Sequence, residues 1–213
     1  MKEAMVGRFL SFSRRIIFNE IGDRLRPGSL KGFMDFAFAV FEKTAHNFEI
    51  LSSFYLKQYE EIVENEIVLG DINAKDTVLV IGCGSLPSTA ALVYQKTKAS
   101  VAGIDIDPKA VNRAVVFLNN LNLKNKIKID NADGLHYSVK NFDVIFVLYG
   151  VKKQKQIFEK LSKEMKKDAR IIFRCPIDNY DKIDLNSYFI VKNNFRSSSL
   201  GIIDSFLLLK KIN

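Results

Sequence analysis

Several features that define common protein classes are scarce or absent in this chain of 213 residues. Only two cysteines occur, Cys83 and Cys175, which are too few for a disulfide framework, so we expect both thiols to be reduced. No apolar run approaches the roughly 20 residues that a membrane-spanning helix requires. The start of the chain mixes charges into its apolar stretch and offers no small-residue cleavage site, so no signal peptide is expected. Together these absences predict a cytoplasmic protein without a membrane partner.

The composition is typical of a soluble globular protein, with 47% apolar and 26% charged residues. The net charge of +8 is compatible with a nucleic-acid partner. However, the lysines between positions 124 and 167 are spread over helical and loop patterns, which is typical of a solvated face. We therefore expect no nucleic-acid partner, and a basic RNA-binding or RNA-modifying protein is only a third alternative.

One strand–helix–strand pattern dominates the middle of the chain. Residues Val78 to Ile81 are apolar and rich in β-branched side chains, which predicts a strand buried on both faces. Gly82-Cys83-Gly84 follows, where the missing Cβ atoms allow a sharp turn and a close approach by a ligand. A helix is expected from Pro87, and a second apolar strand ends in Asp105.

This pattern predicts a site for the adenosine part of a cofactor. Backbone N–H groups at the turn can receive a polar ligand group, and Asp105 can accept both ribose hydroxyls. A dinucleotide and S-adenosylmethionine both contain such a group. The dinucleotide fingerprint requires a third glycine near position 87, where this chain has Pro87, so S-adenosylmethionine is favoured.

The motifs Gly-x-Gly-x-Leu-Pro at 82–87 and Asp-Ile-Asp-Pro at 105–108 resemble those of class I S-adenosylmethionine-dependent transferases. The first motif in particular resembles nicotianamine synthases, which show Gly-Pro-Leu-Pro where this chain has Ser85 in place of the first proline. The segment from Phe48 to Glu66 is also similar, although a plain core role explains its aromatic residues equally well. The resemblance implies transfer of the 3-amino-3-carboxypropyl group to an amine of a small molecule or amino acid, in metallophore biosynthesis. It implies methylthioadenosine as the second product and no required metal.

The alternation of strands and helices after residue 71 predicts an α/β fold with a mostly parallel sheet. We expect a Rossmann-like class I methyltransferase fold, with seven strands and a terminal antiparallel hairpin. Residues 1–70 predict an N-terminal helical domain that covers the active site of an S-adenosylmethionine-binding domain at 71–213. The expected helices lie at about 3–22, 29–45, 49–69, 87–97, 108–120 and 152–166. The expected strands lie at about 77–81, 100–105, 126–130, 142–148, 169–174, 187–192 and 203–211.

The residues expected to bind the cofactor follow the first four strands. Asp105 is assigned to the ribose, whereas Asp107 suits the N-cap of the next helix. The resemblance assigns Asp133 to the adenine amino group, and a turn-forming role is compatible with that assignment. Leu148 and Tyr149 should border the sulfonium, because they end the fourth strand. The expected set is Gly82, Cys83, Gly84, Ser85, Leu86, Pro87, Asp105, Ile106, Ala132, Asp133, Leu148 and Tyr149.

The catalytic candidates come from the fifth strand and the N-terminal helices. Arg174 ends its strand and either holds a substrate carboxylate or forms a structural ion pair. Transfer to an amine also requires a group that takes the amine's proton, such as a partly buried carboxylate or phenol. The resemblance implies that a glutamate and a tyrosine of the N-terminal helices take part in this proton transfer. Glu42 is the preferred glutamate and Glu49 the second choice, and Tyr59 is the tyrosine that the resemblance indicates. Surface ion pairing explains either glutamate equally well.

A small-molecule methyltransferase would carry the same glycine turn, so methyl transfer is the main alternative. A nucleobase or protein-amide methyltransferase would show an Asn/Asp-Pro-Pro-Tyr motif after the fourth strand, and this chain has Leu148-Tyr149-Gly150 there. The oligomeric state is open, with a homodimer as one alternative.

Overall fold

The computed structural model describes residues 48–176, 184–196 and 203–211. The helices expected at about 3–22 and 29–45 lie outside these residues, and so does Glu42. The helices within them are α1 (Phe48–Leu69), α2 (Ser88–Thr97), α3 (Pro108–Asn120) and α4 (Gln154–Glu164). The strands are β1 (Thr77–Ile81), β2 (Ser100–Asp105), β3 (Ile127–Asn131), β4 (Val144–Val147), β5 (Arg170–Pro176), β6 (Phe189–Arg196) and β7 (Ile203–Lys210).

The strands form one seven-stranded sheet with the order β3-β2-β1-β4-β5-β7-β6. The first five strands pair in parallel, and β7 lies antiparallel between β5 and β6. The expected Rossmann-like methyltransferase fold with its terminal antiparallel hairpin is therefore confirmed. The order of the strands reverses between β1 and β4, and sheets of this kind bind ligands in the crevice above the carboxyl ends at that point.

The central strands are buried on both faces, as their continuous apolar sequences predict. On one face, residues such as Val78 and Val80 pack with side chains from α1, α2 and α3. On the other face, residues such as Leu79 and Ile81 pack with side chains from α4. The sheet is thus the middle layer of three, and its carboxyl edge lies between the two helical layers.

Helix α1 belongs to the same core as the sheet. Leu56, Ile62 and Val63 are buried in the cluster that also contains Val80 and Ile172. On its surface, α1 is tied to α2 because Lys96 lies 2.6 Å from carboxylate oxygens of both Glu60 and Glu64. The division into two domains at residue 70 stays a prediction. Helix α1, which would belong to the N-terminal domain, packs directly on the sheet of the second domain.

The amino edge of the sheet is held by Arg170, the first residue of β5. Its Nη1 donates hydrogen bonds to the carbonyl oxygens of Gly70 (2.6 Å) and Asp71 (2.8 Å). Its Nη2 pairs with the buried carboxylate of Asp76. These contacts fix the connection between α1 and β1, which the sequence suggested only as a linker at 71–76.

A second polar cluster at the same edge surrounds Asp143. The Asp143 carboxylate accepts hydrogen bonds from the Thr77 N–H (2.8 Å), the Thr77 hydroxyl (2.6 Å) and Lys166 Nζ (2.5 Å). Burial opposes ionisation of Asp143, but the hydrogen bonds from Lys166 and Thr77 outweigh it and lower the pKa to about 2. Both clusters lie at the edge opposite the ligand crevice and serve the fold.

Several element boundaries differ from the prediction by one to four residues, and three of these differences have a clear physical cause. Helix α2 begins at Ser88 because Pro87 takes the N-cap position. Helix α4 begins at Gln154 rather than at 152 because Lys153, with φ of 56°, adopts a left-handed conformation that starts the helix late. Strand β6 runs to Arg196 because pairing with β7 holds its polar residues in the sheet. The expected N-cap of α3 is confirmed, since the Asp107 side chain accepts a hydrogen bond from the Lys109 N–H.

Within the described part of the chain, every helix is too short or too polar to span a lipid bilayer.

Candidate functional site

The glycine turn joins β1 to α2 at the carboxyl edge of the sheet. Gly82 and Gly84 have φ angles of 78° and 67°, which favour glycine because a Cβ would be strained there. The N–H groups of Gly82 and Cys83 both donate to the Ile104 carbonyl, at 2.9 and 3.0 Å, so the turn is anchored to β2. A Cβ on Gly82 would also lie 2.6 Å from Val151 Cγ2. The turn therefore needs glycine both for its backbone and for the packing of the loop after β4.

Asp105 lies beside this turn at the end of β2. Its Oδ2 accepts a hydrogen bond from the Gly84 N–H (2.9 Å), and its Oδ1 accepts one from the Asp107 N–H (2.9 Å). Both donors are neutral backbone groups, and each carboxylate oxygen has a second lone pair for another donor. The partly buried carboxylate is thus held in one orientation, which suits it to bind the two hydroxyls of a ribose.

Cys83 turns its side chain away from the crevice. The thiol is buried against Gly103, where a Cβ would lie 3.3 Å from its Sγ. Burial, with a smaller contribution from the Asp105 charge, raises the pKa of Cys83 to about 12. The thiol is therefore neutral at physiological pH, and any contact of Cys83 with a cofactor would involve its backbone.

The loop after β3 closes the other side of the crevice. The Ala132 N–H and the Asn131 amide both donate to the Asp105 carbonyl, at 3.0 and 2.9 Å, which joins this loop to the ribose side of the site. Asp133 accepts the Leu135 N–H at 2.9 Å, which is the turn that its sequence predicts. Its side chain is still 31% exposed, so an adenine amino group can reach it. The two roles expected for Asp133 are compatible in this geometry.

Apolar residues at the same edge offer a surface for an adenine ring. Ile106 follows Asp105 and is 68% exposed, which is high for an isoleucine. Leu148 and Tyr149 directly follow β4 and are partly buried. The Leu148 N–H donates to the Ile81 carbonyl at 3.3 Å, so these residues stay next to the glycine turn. The cofactor-binding set predicted from the sequence is therefore grouped at one edge, although its contacts with a ligand stay predictions.

Arg174 forms a bidentate ion pair with Glu66 on α1. Its Nε lies 2.9 Å from Glu66 Oε1 and its Nη2 lies 2.5 Å from Oε2. The Ser205 hydroxyl donates to the same Oε1 at 2.6 Å, and Arg174 Nη1 donates to the Thr89 hydroxyl at 3.2 Å. All four residues are buried. Of the two roles predicted for Arg174, the geometry favours the structural ion pair.

The sequence missed Glu66, Thr89 and Ser205 as members of this network. Glu66 and Arg174 are 108 positions apart, and the spacing of residues along the chain does not signal such a pair. The available signal was the combination of an arginine in a strand with a glutamate on the apolar face of a helix, since buried charges are normally paired.

The other catalytic candidates lie on or before α1. Tyr59 is partly buried against the core and lies seven residues, or two turns, before Glu66, so both share a face of the helix. Glu49 lies in the first turn of α1. Glu42 lies outside the described residues, and the roles of all three stay predictions. Among the described residues no group of His, Cys, Asp and Glu side chains could hold a metal ion.

The strand order, the glycine turn and the acid at the end of β2 define a class I S-adenosylmethionine-dependent transferase fold. A methyltransferase-domain family model matches residues 72–195, which is more than half of the chain, and the protein therefore belongs to that family. Membership makes S-adenosylmethionine the co-substrate, as the sequence predicted.

Two curated proteins are similar to parts of the chain. L-histidine 2-aminobutanoyltransferase of Yersinia pestis is 33% identical over 82 residues, which cover 38% of this chain and 31% of that protein. Demethylmenaquinone methyltransferase of Lactobacillus johnsonii is 24% identical over 147 residues, covering 65% of this chain and 60% of that protein. The chain thus matches about a third of one relative and three fifths of the other.

Among solved structures, a Glu-to-Gln variant of MtNAS in complex with S-adenosylmethionine matches with a TM-score of 0.76 at 20% identity. The match covers 95% of this chain and 83% of MtNAS. Several other solved structures, methyltransferases among them, match with TM-scores of 0.57 to 0.62 over 70 to 82% of this chain. At these identities the matches confirm the fold, including the expected similarity to the nicotianamine synthase architecture.

Proposed function

We propose that this protein transfers the 3-amino-3-carboxypropyl group of S-adenosylmethionine to an amine of a small molecule, as nicotianamine synthases do. One observation carries the proposal: the curated relative with 33% identity is named for transfer of a 2-aminobutanoyl unit to L-histidine. That unit is the same four-carbon amino-acid skeleton. The match to MtNAS supports it, because the similarity covers 95% of the chain and extends well beyond residues 72–195.

In this proposal the carboxyl edge of the sheet binds the adenosine. Asp105 accepts the ribose hydroxyls, because its two oxygens are already oriented by the N–H groups of Gly84 and Asp107. Asp133 accepts a hydrogen bond from the adenine amino group, and Ile106 provides an apolar contact for the adenine ring. The glycine turn and the start of α2 then face the amino-acid part of the co-substrate.

The reaction itself is a displacement at carbon. The acceptor nitrogen forms a bond to the terminal carbon of the aminocarboxypropyl chain, and the bond from that carbon to sulfur breaks with its electron pair going to sulfur. Sulfur loses its positive charge and leaves as methylthioadenosine, while the nitrogen loses a proton to a base. Glu42 or Glu49 with Tyr59 are the proposed groups for that proton. The protein contributes mainly by orientation, because three carbons of the sulfonium are open to attack.

The ion pair between Glu66 and Arg174 bears on how the acceptor binds. Glu66 already accepts hydrogen bonds from Nε and Nη2 of Arg174, so the arginine presents little net charge to a substrate. We therefore propose that a carboxylate of the acceptor is held by other groups. Arg174 then serves to join α1 to the sheet.

Methyl transfer is the second candidate function. The 24% identity with a demethylmenaquinone methyltransferase supports it, since that match extends over 147 residues. The adenosine site described above would serve either reaction, because the two differ only in which carbon faces the acceptor.

The deciding experiment is an analysis of the products. The purified full chain is incubated with S-adenosylmethionine and L-histidine, then with a panel of small amines and amino acids, and the mixture is analysed by mass spectrometry. The proposal expects methylthioadenosine and an acceptor heavier by one aminocarboxypropyl unit. Formation of adenosylhomocysteine and a methylated acceptor would instead establish the second candidate. The Asp105→Asn variant is the control for a reaction at this site.

We further propose that the protein acts in the cytoplasm, in the synthesis of a metal-binding small molecule. Cys83 and Cys175 are both buried thiols outside any disulfide, which is compatible with a reducing compartment. Deletion of the gene should then lower the content of the amine-linked product in cell extracts.

A further inference from the structure

The two outer strands of the sheet, β3 and β6, differ in how their open edges are built. Strand β6 contains an irregularity between Val191 and Asn193, and the exposed Lys192 lies at that point, so regular pairing with a further strand is interrupted there. Strand β3 keeps a regular register with β2 over all five of its residues, 127–131. In the described part of the chain β3 pairs only with β2. The edge of β3 is therefore the one that can accept another strand.

The direction of the backbone groups of β3 follows from one hydrogen bond at its end. The Ala132 N–H donates to the Asp105 carbonyl at 3.0 Å and thus points toward β2. Backbone groups along a strand point alternately to its two sides, so those of Asp130 also point toward β2. Those of Ile129 and Asn131 point outward. The N–H and the carbonyl of Ile129 consequently lie at the open edge, in the middle of the strand.

Two opposite charges flank Ile129 on one face of the strand. The side chains of Lys128 and Asp130 are 70% and 28% exposed, and Lys128 Nζ lies 2.7 Å from Asp130 Oδ2. The Tyr137 hydroxyl donates to the same oxygen at 3.0 Å and holds the carboxylate at this edge. A strand with a cation and, two residues later, an anion is complementary to the same strand running in the opposite direction.

The backbone and the charges define the same register for such a pairing. If two copies of β3 pair antiparallel about Ile129, the two Ile129 residues exchange both backbone hydrogen bonds, because their N–H and carbonyl groups point outward. Lys128 of each copy then lies opposite Asp130 of the other. This second kind of pair is not hydrogen-bonded through the backbone, and in such pairs the side chains approach most closely. One two-fold axis thus satisfies the edge and forms two ion pairs.

An apolar groove beside β3 adds to this surface. It lies between α3 and β3 and has a volume of about 200 Å³. It is lined by Val115, Leu118, Lys124, Ile127, Lys128 and Ile129. A two-fold axis through the Ile129 pair and perpendicular to the sheet places α3 of both copies on the same face, so the two grooves meet. Burial of their apolar side chains supplies area that the pairing of two five-residue strands lacks.

We propose that the protein forms a homodimer in which the β3 strands of two copies pair antiparallel about Ile129 and join the two sheets into one. The ion pairs between Lys128 and Asp130 set the register, and the grooves between α3 and β3 close against each other. The interface lies at the outer side of β3, so the crevice at β1 and β4 stays open and each copy keeps its own site. The inference is independent of which group the protein transfers.

Sedimentation velocity of the full chain over a series of concentrations tests the inference, because it gives the dissociation constant of the dimer. The wild type should sediment as a dimer that dissociates on dilution. Lys128→Glu places two carboxylates opposite each other, and Asp130→Lys places two ammonium groups opposite each other. Each variant should raise the dissociation constant at least about tenfold, because two attractive pairs become repulsive. Lys192→Glu, the same charge reversal on the other outer strand, is the matched control and should leave the constant unchanged.

Mixing the two charge-reversed variants separates a lost interface from a damaged fold. An equimolar mixture of the Lys128→Glu and Asp130→Lys proteins restores opposite charges at both positions of a mixed dimer, so dimers should reappear with a dissociation constant within about threefold of the wild type. The double variant in one chain should behave in the same way. A wild type that stays monomeric over the whole series would overturn the inference. It would also be overturned if the single variants dimerise like the wild type, if the mixture stays monomeric, or if Lys192→Glu abolishes the dimer.

Discussion

Replacing Glu66 by glutamine should destabilise the protein strongly, because it removes the anion from a buried ion pair. Glu66 is fully buried and accepts hydrogen bonds from Arg174 Nε (2.9 Å), Arg174 Nη2 (2.5 Å) and the Ser205 hydroxyl (2.6 Å). The amide oxygen of glutamine can keep the two bonds made by Oε1. Its NH2 group, however, would face the Nη2 donor of a cation that has lost its counterion.

Loss of one partner from a buried pair typically costs about 3–5 kcal/mol of unfolding free energy. Because glutamine keeps part of the hydrogen bonding, we expect a loss of about 3 kcal/mol for Glu66→Gln. For a chain of this length that corresponds to a fall in Tm of roughly 6–12 °C. Urea denaturation, followed by circular dichroism, measures the free energy, and a thermal scan measures the Tm.

Two comparisons isolate the cause of this loss. Glu64→Gln changes the same residue type on the same helix, but its carboxylate is 53% exposed and pairs with Lys96 at the surface, so less than about 1 kcal/mol is expected. The double variant Glu66→Gln with Arg174→Met removes the uncompensated cation and should be more stable than Glu66→Gln alone. The reasoning is refuted if Glu66→Gln is as stable as Glu64→Gln, or if the double variant is the less stable one.

Three further perturbations follow from the geometry. Asp105→Asn should weaken S-adenosylmethionine binding about tenfold to a hundredfold, measured by calorimetry, because the carboxylate accepts from backbone donors that orient it toward a ribose. Gly82→Ala should lower the unfolding free energy by more than about 1 kcal/mol, since its φ is 78° and a Cβ would lie 2.6 Å from Val151 Cγ2. Acid titration should reveal the contribution of Asp143: its pKa of about 2 lies below the ordinary 3.8, so the contacts with Lys166 and Thr77 stabilise the folded state above about pH 4. That contribution, about 1 kcal/mol in this partly exposed pair, should disappear as the pH falls from about 4 to about 2.

Each of these predictions has a control in the same chain. Asp107→Asn keeps a side-chain oxygen for capping α3 and should leave the affinity for S-adenosylmethionine near that of the wild type. Gly150→Ala changes an exposed glycine of the loop after β4 and should alter the stability by less than about 0.5 kcal/mol. Lys166→Met should reduce the loss of stability between about pH 4 and pH 2, while the hydrogen bonds from Thr77 keep part of it. An unchanged acid profile in that variant would contradict the assignment to Asp143.

The parts of the fold that could be predicted from the sequence are those with strong local signals. β1 and β2 are short apolar runs bounded by glycine or acid, and α3 has Asp107 and Pro108 at its start, so their bounds agree with the structure. The polar second half of β6 carries no such signal, because its place in the sheet depends on pairing with β7. Lys153 has a left-handed backbone conformation, which is uncommon for lysine and therefore could not be predicted from its residue type.

The same distinction between local signals and contacts of distant segments applies to the candidate site. The glycine turn and Asp105 lie in one continuous segment, and the spacing between them reflects the geometry of a single βαβ unit. The pairing of Arg174 with Glu66 depends instead on how α1 crosses the sheet, which is a matter of packing between distant segments. The glycine turn and its acid could therefore be predicted from the sequence, whereas the partner of Arg174 could not.

The hydrophobic core that α1 shares with the sheet has a consequence for the design of truncated variants. A fragment limited to the family segment at 72–195 would lack β7, which pairs with both β5 and β6, and would also lose the helix that contributes Ile62 and Val63, both fully buried. One apolar face of the sheet would then be exposed to water, and Arg174 would lose its ion-pair partner Glu66. Such a fragment should aggregate on expression, so minimal versions of this enzyme must retain both α1 and β7.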